Sequence, residues 1–186
     1  MMFPDIAPPP AIVQYIEIEE LTIEDIINNR IFKNTDKGFL TNDSRHVKNI
    51  SYGLFKSDYN GCGWIAVYNV LRFLEYNPNA YTVSKEMEKH TVLLGLFGTD
   101  LNGIVEYLQE QGLTANTTKT EYEKYADKSE VCILYYSVGL RTHYVMISKI
   151  DGVGYRYING NAPAQPIADF LEYKKATDST LIYITR

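Results

Sequence analysis

An α+β domain, with helices in the first part of the chain and an antiparallel sheet in the second, is what this sequence predicts, on three observations. The stretch 59–74, YNGCGWIAVYNVLRFL, is apolar on nearly every side of a helix, with Asn69 and Arg72 its only strongly polar members after Cys62. Beyond Leu113 the runs VCILYYSV, HYVMISKI, GYRYIN and STLIYITR are rich in β-branched and aromatic residues and are separated by Gly and Asp turns. Helices followed by strands joined as hairpins is the order of a domain whose helices pack on one side of its sheet. At 186 residues the chain accommodates one domain with an added arm: 1–22 as an extended arm and 23–186 as the domain, helical over about 23–112 and sheet over about 130–186.

In chain order, Pro4 and then Pro8, Pro9 and Pro10 exclude regular helix and central strand from the start, hence the arm. LTIEDIINNR follows, with Thr22 as a candidate N-cap and Ile23, Ile26 and Ile27 on one face, which predicts a short helix over 23–30. The next thirty or so residues are dense in Asn, Asp, Ser, Gly and Lys and read as loop with a short strand. The buried helix then opens at Cys62 and ends near Glu75, because Pro78 between asparagines disfavours helix before it. A second helix is expected over 83–90, started by Thr82 or Ser84. The amphipathic LNGIVEYLQEQG comes after TVLLGLFGT, with Asp100 or Thr99 as its cap and Gly112 as its stop. ANTTKTEYEKYADKS reads as polar connection, and GNAPAQP as a turn.

Composition narrows the function. Eighteen Lys and Arg against 23 Asp and Glu, a net charge of −5 and no basic cluster argue against nucleic acid as a partner. No apolar run approaches the roughly 20 residues that cross a bilayer, and MMFPDIAPPPAIVQ lacks the basic start and apolar core of a secretory signal. A soluble, cytoplasmic protein without membrane contacts is expected, although an exported chain whose signal had been removed would read the same. Three histidines and two cysteines show no metal-ligand spacing, so neither metal nor cofactor is expected. Cys62 and Cys132 lie in contexts that argue against a disulfide. The sixteen tyrosines are ordinary sheet-packing residues for the most part.

Cys62 is the candidate nucleophile. A thiol at a helix N-terminus meets unsatisfied N–H groups and the positive end of the helix dipole, both of which favour the thiolate, and Gly61 and Gly63 leave room for a substrate backbone. A buried, merely structural cysteine is the competing reading. His46 lies in a polar loop and His90 at the end of a charged helix, so the candidate base is His143, at the start of HYVMISKI and hence at the rim of the sheet. Asn159 ends the next run. A hairpin centred near residue 151 brings Asn159 opposite His143, where its side-chain oxygen can fix the ring and its tautomer while the other ring nitrogen takes the thiol proton. Asn161 is the fallback orienter.

A GCG-type cysteine opening a buried helix, a GTDL helix over 98–101, a histidine at a strand start and an asparagine on the next strand resemble the papain-like cysteine peptidases. The resemblance covers about residues 50–186. It is nearer still to the bacterial branch related to peptidases that process double-glycine leader peptides. It implies a helical lobe whose buried central helix packs on an antiparallel sheet, with Cys62 as nucleophile, His143 as general base and then acid, Asn159 as orienter, and a peptide or protein substrate cut at a peptide or isopeptide bond through a thioester. That family usually has Gln about six residues before the cysteine as an oxyanion donor, and this chain has Lys56 there. Asp is common directly before the cysteine in the bacterial branch, where this chain has Gly61. Asn60 and Lys56 are therefore candidates for the oxyanion, and Gly61, Gly63 and Trp64 for substrate contact. The same triad serves an acyltransferase or transglutaminase-like enzyme, and a papain-fold binding module without catalysis is the alternative from another class.

Overall fold

The molecule is built around the helix that carries Cys62. The structure, a computed structural model, describes residues 38–44 and 47–186. The expected arm 1–22, the helix 23–30 and His46 lie outside the described residues. A small hairpin of β1 (Ser51–Tyr52) and β2 (Phe55–Lys56) leads into the short α1 (Ser57–Asn60), and Gly61 links α1 to α2 (Cys62–Phe73). Every residue of α2 from Cys62 to Leu71 is buried, as its all-round apolar sequence requires. Its one buried polar side chain, Asn69, is satisfied from outside the helix: the amide accepts from the Leu40 N–H at 2.7 Å and donates to the Leu40 carbonyl at 2.8 Å.

Two further helices follow. α3 (Ala80–Glu88) begins three residues before the expected start, because Asn79 caps it by accepting from the Thr82 N–H at 3.0 Å. α4 (Leu101–Glu110) is capped by Asp100, which accepts from the Gly103 N–H at 3.1 Å, and ends just before Gly112.

The sheet has five strands in the spatial order β3-β7-β4-β5-β6, all pairs antiparallel: β3 (Thr114–Thr118), β4 (Val131–Val138), β5 (Arg141–Ile150), β6 (Gly154–Ile158) and β7 (Asp178–Thr185). It differs from a plain run of hairpins in two ways. The polar stretch ANTT is an edge strand, held by five residue pairs with β7 and by one buried side chain, Ala115. β7 does not pair with β6; the chain crosses through α6 (Ile167–Lys174) and returns on the far side of β4.

That crossing overturns the expectation of helices on one side only. Ile133, Tyr144, Met146, Ile158, Ile182 and Ile184 face the α2 core, whereas Cys132, Leu134, Tyr136, Val145, Tyr157 and Leu181 face a second core closed by α6 and the short α5 (Tyr122–Ala126). Phe170 of α6 stacks flat on Tyr157 at 3.8 Å and meets Tyr136 edge-on. Strands covered on both faces carry apolar residues at every position instead of alternating, which is what VCILYY does. Among the described residues no helix is long and apolar enough to cross a membrane.

Candidate functional site

The start of α2 faces the start of β5 and the turn before it across a cleft of about 400 Å³. Cys62, Asn60, Tyr59 and Asp58 line it from α1 and α2; His143, Thr142, Arg141 and Leu140 line it from the β4–β5 hairpin; Leu96, Phe97 and Gly98 form the third wall. Two of the residues singled out in the sequence, Cys62 and His143, therefore open into the same space. Two larger cavities contain neither of them. One of about 590 Å³ shares Phe97 and Thr142 with the cleft and extends it towards Thr117, Thr118 and Tyr135; the other, about 920 Å³, lies on the outer side of Asn159 against Phe39 and Tyr173.

Cys62 is almost wholly buried. Burial pushes its thiol up to about 11, and main-chain N–H groups of Tyr144, Gly63 and Cys62 itself pull against that rise without cancelling it. The helix start does supply donors to the sulfur, as expected, but desolvation outweighs them. The donor from Tyr144 also locates the thiol: it rests beside the strand residue that follows His143.

His143 is the third residue of β5, opposite Tyr136 of β4, and its half-buried ring sits edge-on to the Tyr136 ring at 5.7 Å. Burial lowers its pKa below the ordinary 6.5; the hydrogen bond to Asn159 opposes this, and the Lys174 ammonium adds to the lowering. The partner of the ring is the main-chain carbonyl of Asn159, 2.8 Å from Nε2. Since a carbonyl only accepts, Nε2 carries the proton and Nδ1 holds the lone pair.

This corrects the expected arrangement, in which the Asn159 side chain faced the ring. The β5–β6 ladder is centred on Gly152, with Ile150 opposite Gly154, and its last pair is Met146 with Ile158. Asn159 leaves the strand with φ of 70°, a left-handed turn that swings its carbonyl to the histidine. Its side chain instead pairs with Asn42, donating from Nδ2 to Asn42 Oδ1 at 2.7 Å and accepting the Asn42 N–H at 2.8 Å. Asn161, also at positive φ, offers its own carbonyl to Lys174 at 3.4 Å.

The remaining candidates separate clearly. Lys56 is exposed and its Nζ reaches Ser51 Oγ at 3.2 Å, away from the cleft. Asn60 lines the cleft, but its amide N–H groups are directed to the carbonyls of Gly95 at 2.8 Å and Tyr52 at 3.3 Å, so it is not a free oxyanion donor. Trp64 is fully buried and donates to Ser57 Oγ at 3.0 Å. The space beside Gly61 and Gly63 belongs to the protein. A Cβ on Gly61 would lie 2.5 Å from the Ser57 carbonyl and 2.6 Å from Trp64 Nε1, and one on Gly63 would lie 2.2 Å from Thr99 Oγ1. Asn60, Gly61, Gly63 and Trp64 thus shape the site from within, and Lys56 lies outside it.

Sequence reasoning passed over Asn42, Arg141, Thr142 and the loop 92–98. That loop is knitted by its own main chain, with Val92 N–H to the Gly98 carbonyl at 2.9 Å and Phe97 N–H to the Val92 carbonyl at 3.3 Å. It holds Leu93 and Leu94 at positive φ and leaves Leu93, Leu94, Leu96 and Phe97 each more than half exposed. Leu54, Tyr59 and Leu140 are exposed as well. The apolar density of VLLGLF was the available signal.

No protein-family model and no curated protein matches the sequence. Among solved structures, the chain is similar to a double glycine motif protease from an AMS/PCAT transporter, determined in complex with the leader peptide, at 17% identity and a TM-score of 0.48 over 67% of this chain and 84% of that one.

Proposed function

We propose that this protein is a papain-like cysteine peptidase that cleaves a peptide or isopeptide bond through a thioester on Cys62. The single observation that carries this reading is the cleft shared by a thiol at a helix start and an imidazole whose Nε2–H is committed to the Asn159 carbonyl, which leaves Nδ1 as the base. The sequence resemblance to the papain-like peptidases supports it independently. Burial favours the neutral members of the pair, thiol and imidazole, so the thiol proton moves to Nδ1 as Sγ attacks the substrate carbonyl carbon. The oxyanion that forms is met by main-chain N–H groups at the start of α2. When the tetrahedral species collapses, the C–N bond breaks and the amine leaves with the proton from Nδ1. Water, giving its proton to Nδ1, then attacks the thioester; the carboxylic acid departs and the thiol is restored. The exposed leucines and Phe97 around the mouth fit a substrate with bulky apolar residues beside the scissile bond.

The reading is tested by the pH dependence of Cys62 alkylation with iodoacetamide. A coupled pair exposes its thiolate–imidazolium form once the first proton is lost, so the rate should rise in a step below pH 6.5, level off, and rise again near 11. His143→Ala should abolish the lower step. A profile that rises only near 11 would favour the non-catalytic binding module, a reading to which the commitment of Asn60 and Lys56 elsewhere also lends weight.

A further inference from the structure

Two sides of the cleft are joined behind it by one side chain. Asn42 uses its main-chain N–H and both polar atoms of its side chain: Nδ2 donates to the carbonyls of Ser57 at 3.0 Å and Asp58 at 2.9 Å, in the turn of helix that precedes Cys62. Its Oδ1 accepts from Asn159 Nδ2 at 2.7 Å, and its N–H donates to Asn159 Oδ1 at 2.8 Å. Asn159 in turn presents its carbonyl to His143 Nε2 at 2.8 Å. An unbroken hydrogen-bonded path thus runs from α1, the short helix that leads into the nucleophile, to the ring of the base. It does not cross the cleft, where a substrate would interrupt it.

The geometry points to Asn42 as a positioning residue that sets the tautomer and place of His143 relative to Cys62, an inference that rests on the peptidase reading above. Asn159 needs such a partner. It sits in a left-handed conformation that an L residue adopts at some energetic cost, beyond the last ladder pair of β6, so the strand does not hold its carbonyl in place. Both polar ends of its carboxamide are held by Asn42 and, among the described residues, by no other hydrogen-bonding group. The segment that carries Asn42 is itself pinned two residues earlier, where fully buried Leu40 pairs with Asn69 of α2 through both main-chain groups. The role usually given to a side chain against the histidine is thereby spread over two asparagines, one whose main chain accepts the hydrogen bond and one that fixes that main chain.

The test separates positioning from simple stability. In the wild type, ¹⁵N shifts of the His143 ring should show one tautomer with Nε2 protonated. Asn42→Ala should mix the tautomers and slow Cys62 alkylation near pH 6.5 by about tenfold or more, as loss of an oriented base does. Asn69→Ala releases the same segment at Leu40 without touching Asn159, and it should lower stability while leaving both ring shifts and the alkylation step in place. Lys174, Asp58 and Arg141 are the charged groups around the ring and cleft, and none of their side chains is altered by either substitution. Should Asn42→Ala fold poorly, the near-isosteric Asn42→Leu serves instead: it keeps the side-chain volume and removes both the Nδ2 donors to Ser57 and Asp58 and the Oδ1 acceptor for Asn159 Nδ2. Unchanged ring shifts in a folded Asn42 variant would overturn the inference. A wild type with the single tautomer but no His143-dependent alkylation step would instead sink the peptidase reading, leaving the tautomer measurement to judge Asn42 alone.

Discussion

Gly63 shows how narrowly single residues are constrained around Cys62. Thr99 closes over the first turn of α2, its hydroxyl bonded to Tyr52 Oη at 2.8 Å and its carbonyl accepting from Tyr144 Oη at 2.9 Å, so it has little freedom to retreat. A methyl group on Gly63 would fall 2.5 Å from Thr99 Cβ. Gly63→Ala is expected to destabilise the fold by about 1–3 kcal/mol, the usual range for overpacking, read from the midpoint shift in denaturant unfolding. An unchanged midpoint would mean that Thr99 yields. The sequence identified Gly63 as a position that must be small and gave the wrong reason: the neighbour that requires the space is Thr99, thirty-six residues further along the chain, and spacing alone cannot reveal such a contact.

Among the elements, α6 carries the most that was not foreseen. IADFLEYK begins directly after Pro166 and is only eight residues long, so its helical period is short and the Pro-rich stretch before it reads as turn. What makes it a helix is the sheet face beneath it. Phe170 is wholly buried between Tyr157 and Tyr136, and Tyr136 packs in turn against the His143 ring. Phe170→Ala is expected to remove about 3–5 kcal/mol of stability, measurable by thermal or denaturant unfolding. A loss below about 1 kcal/mol would show that α6 is not integral to the second core. The long helices needed no such help, since α2 is apolar on every side and α4 buries a face that its own periodicity declares and is capped by Asp100.

For the whole molecule, the ionisable groups buried in both cores set a limit at high pH. Burial holds the thiols of Cys62 and Cys132 protonated, up to about 11 and about 12, and the Tyr136 phenol up to about 12, with Tyr52, Tyr107, Tyr144 and Tyr157 raised further. The unfolded chain loses these protons first, from the ordinary 9.0 and 10.0 upward, so above pH 9 the native state binds more protons than the unfolded one and stability falls as pH rises. The melting temperature should therefore decline steadily between pH 9 and 11, and a flat profile would contradict the burial of these groups. The sequence by itself determined the chain's secondary structure wherever a clear apolar pattern is bounded by turn or cap residues: the buried helix from Cys62, the helix after Asp100, and the strands at 131, 154 and 178. It also marked Cys62 and His143 as residues of chemical interest. Only tertiary structure decided which faces are covered, how the fifth strand returns beside β4, and that a main-chain carbonyl at a left-handed asparagine, held by Asn42, meets the histidine. The physical reason is range: periodicity and caps are set by neighbours three or four residues apart, whereas the link from Asn42 to Asn159 spans 117 residues and exists only once both cores have closed.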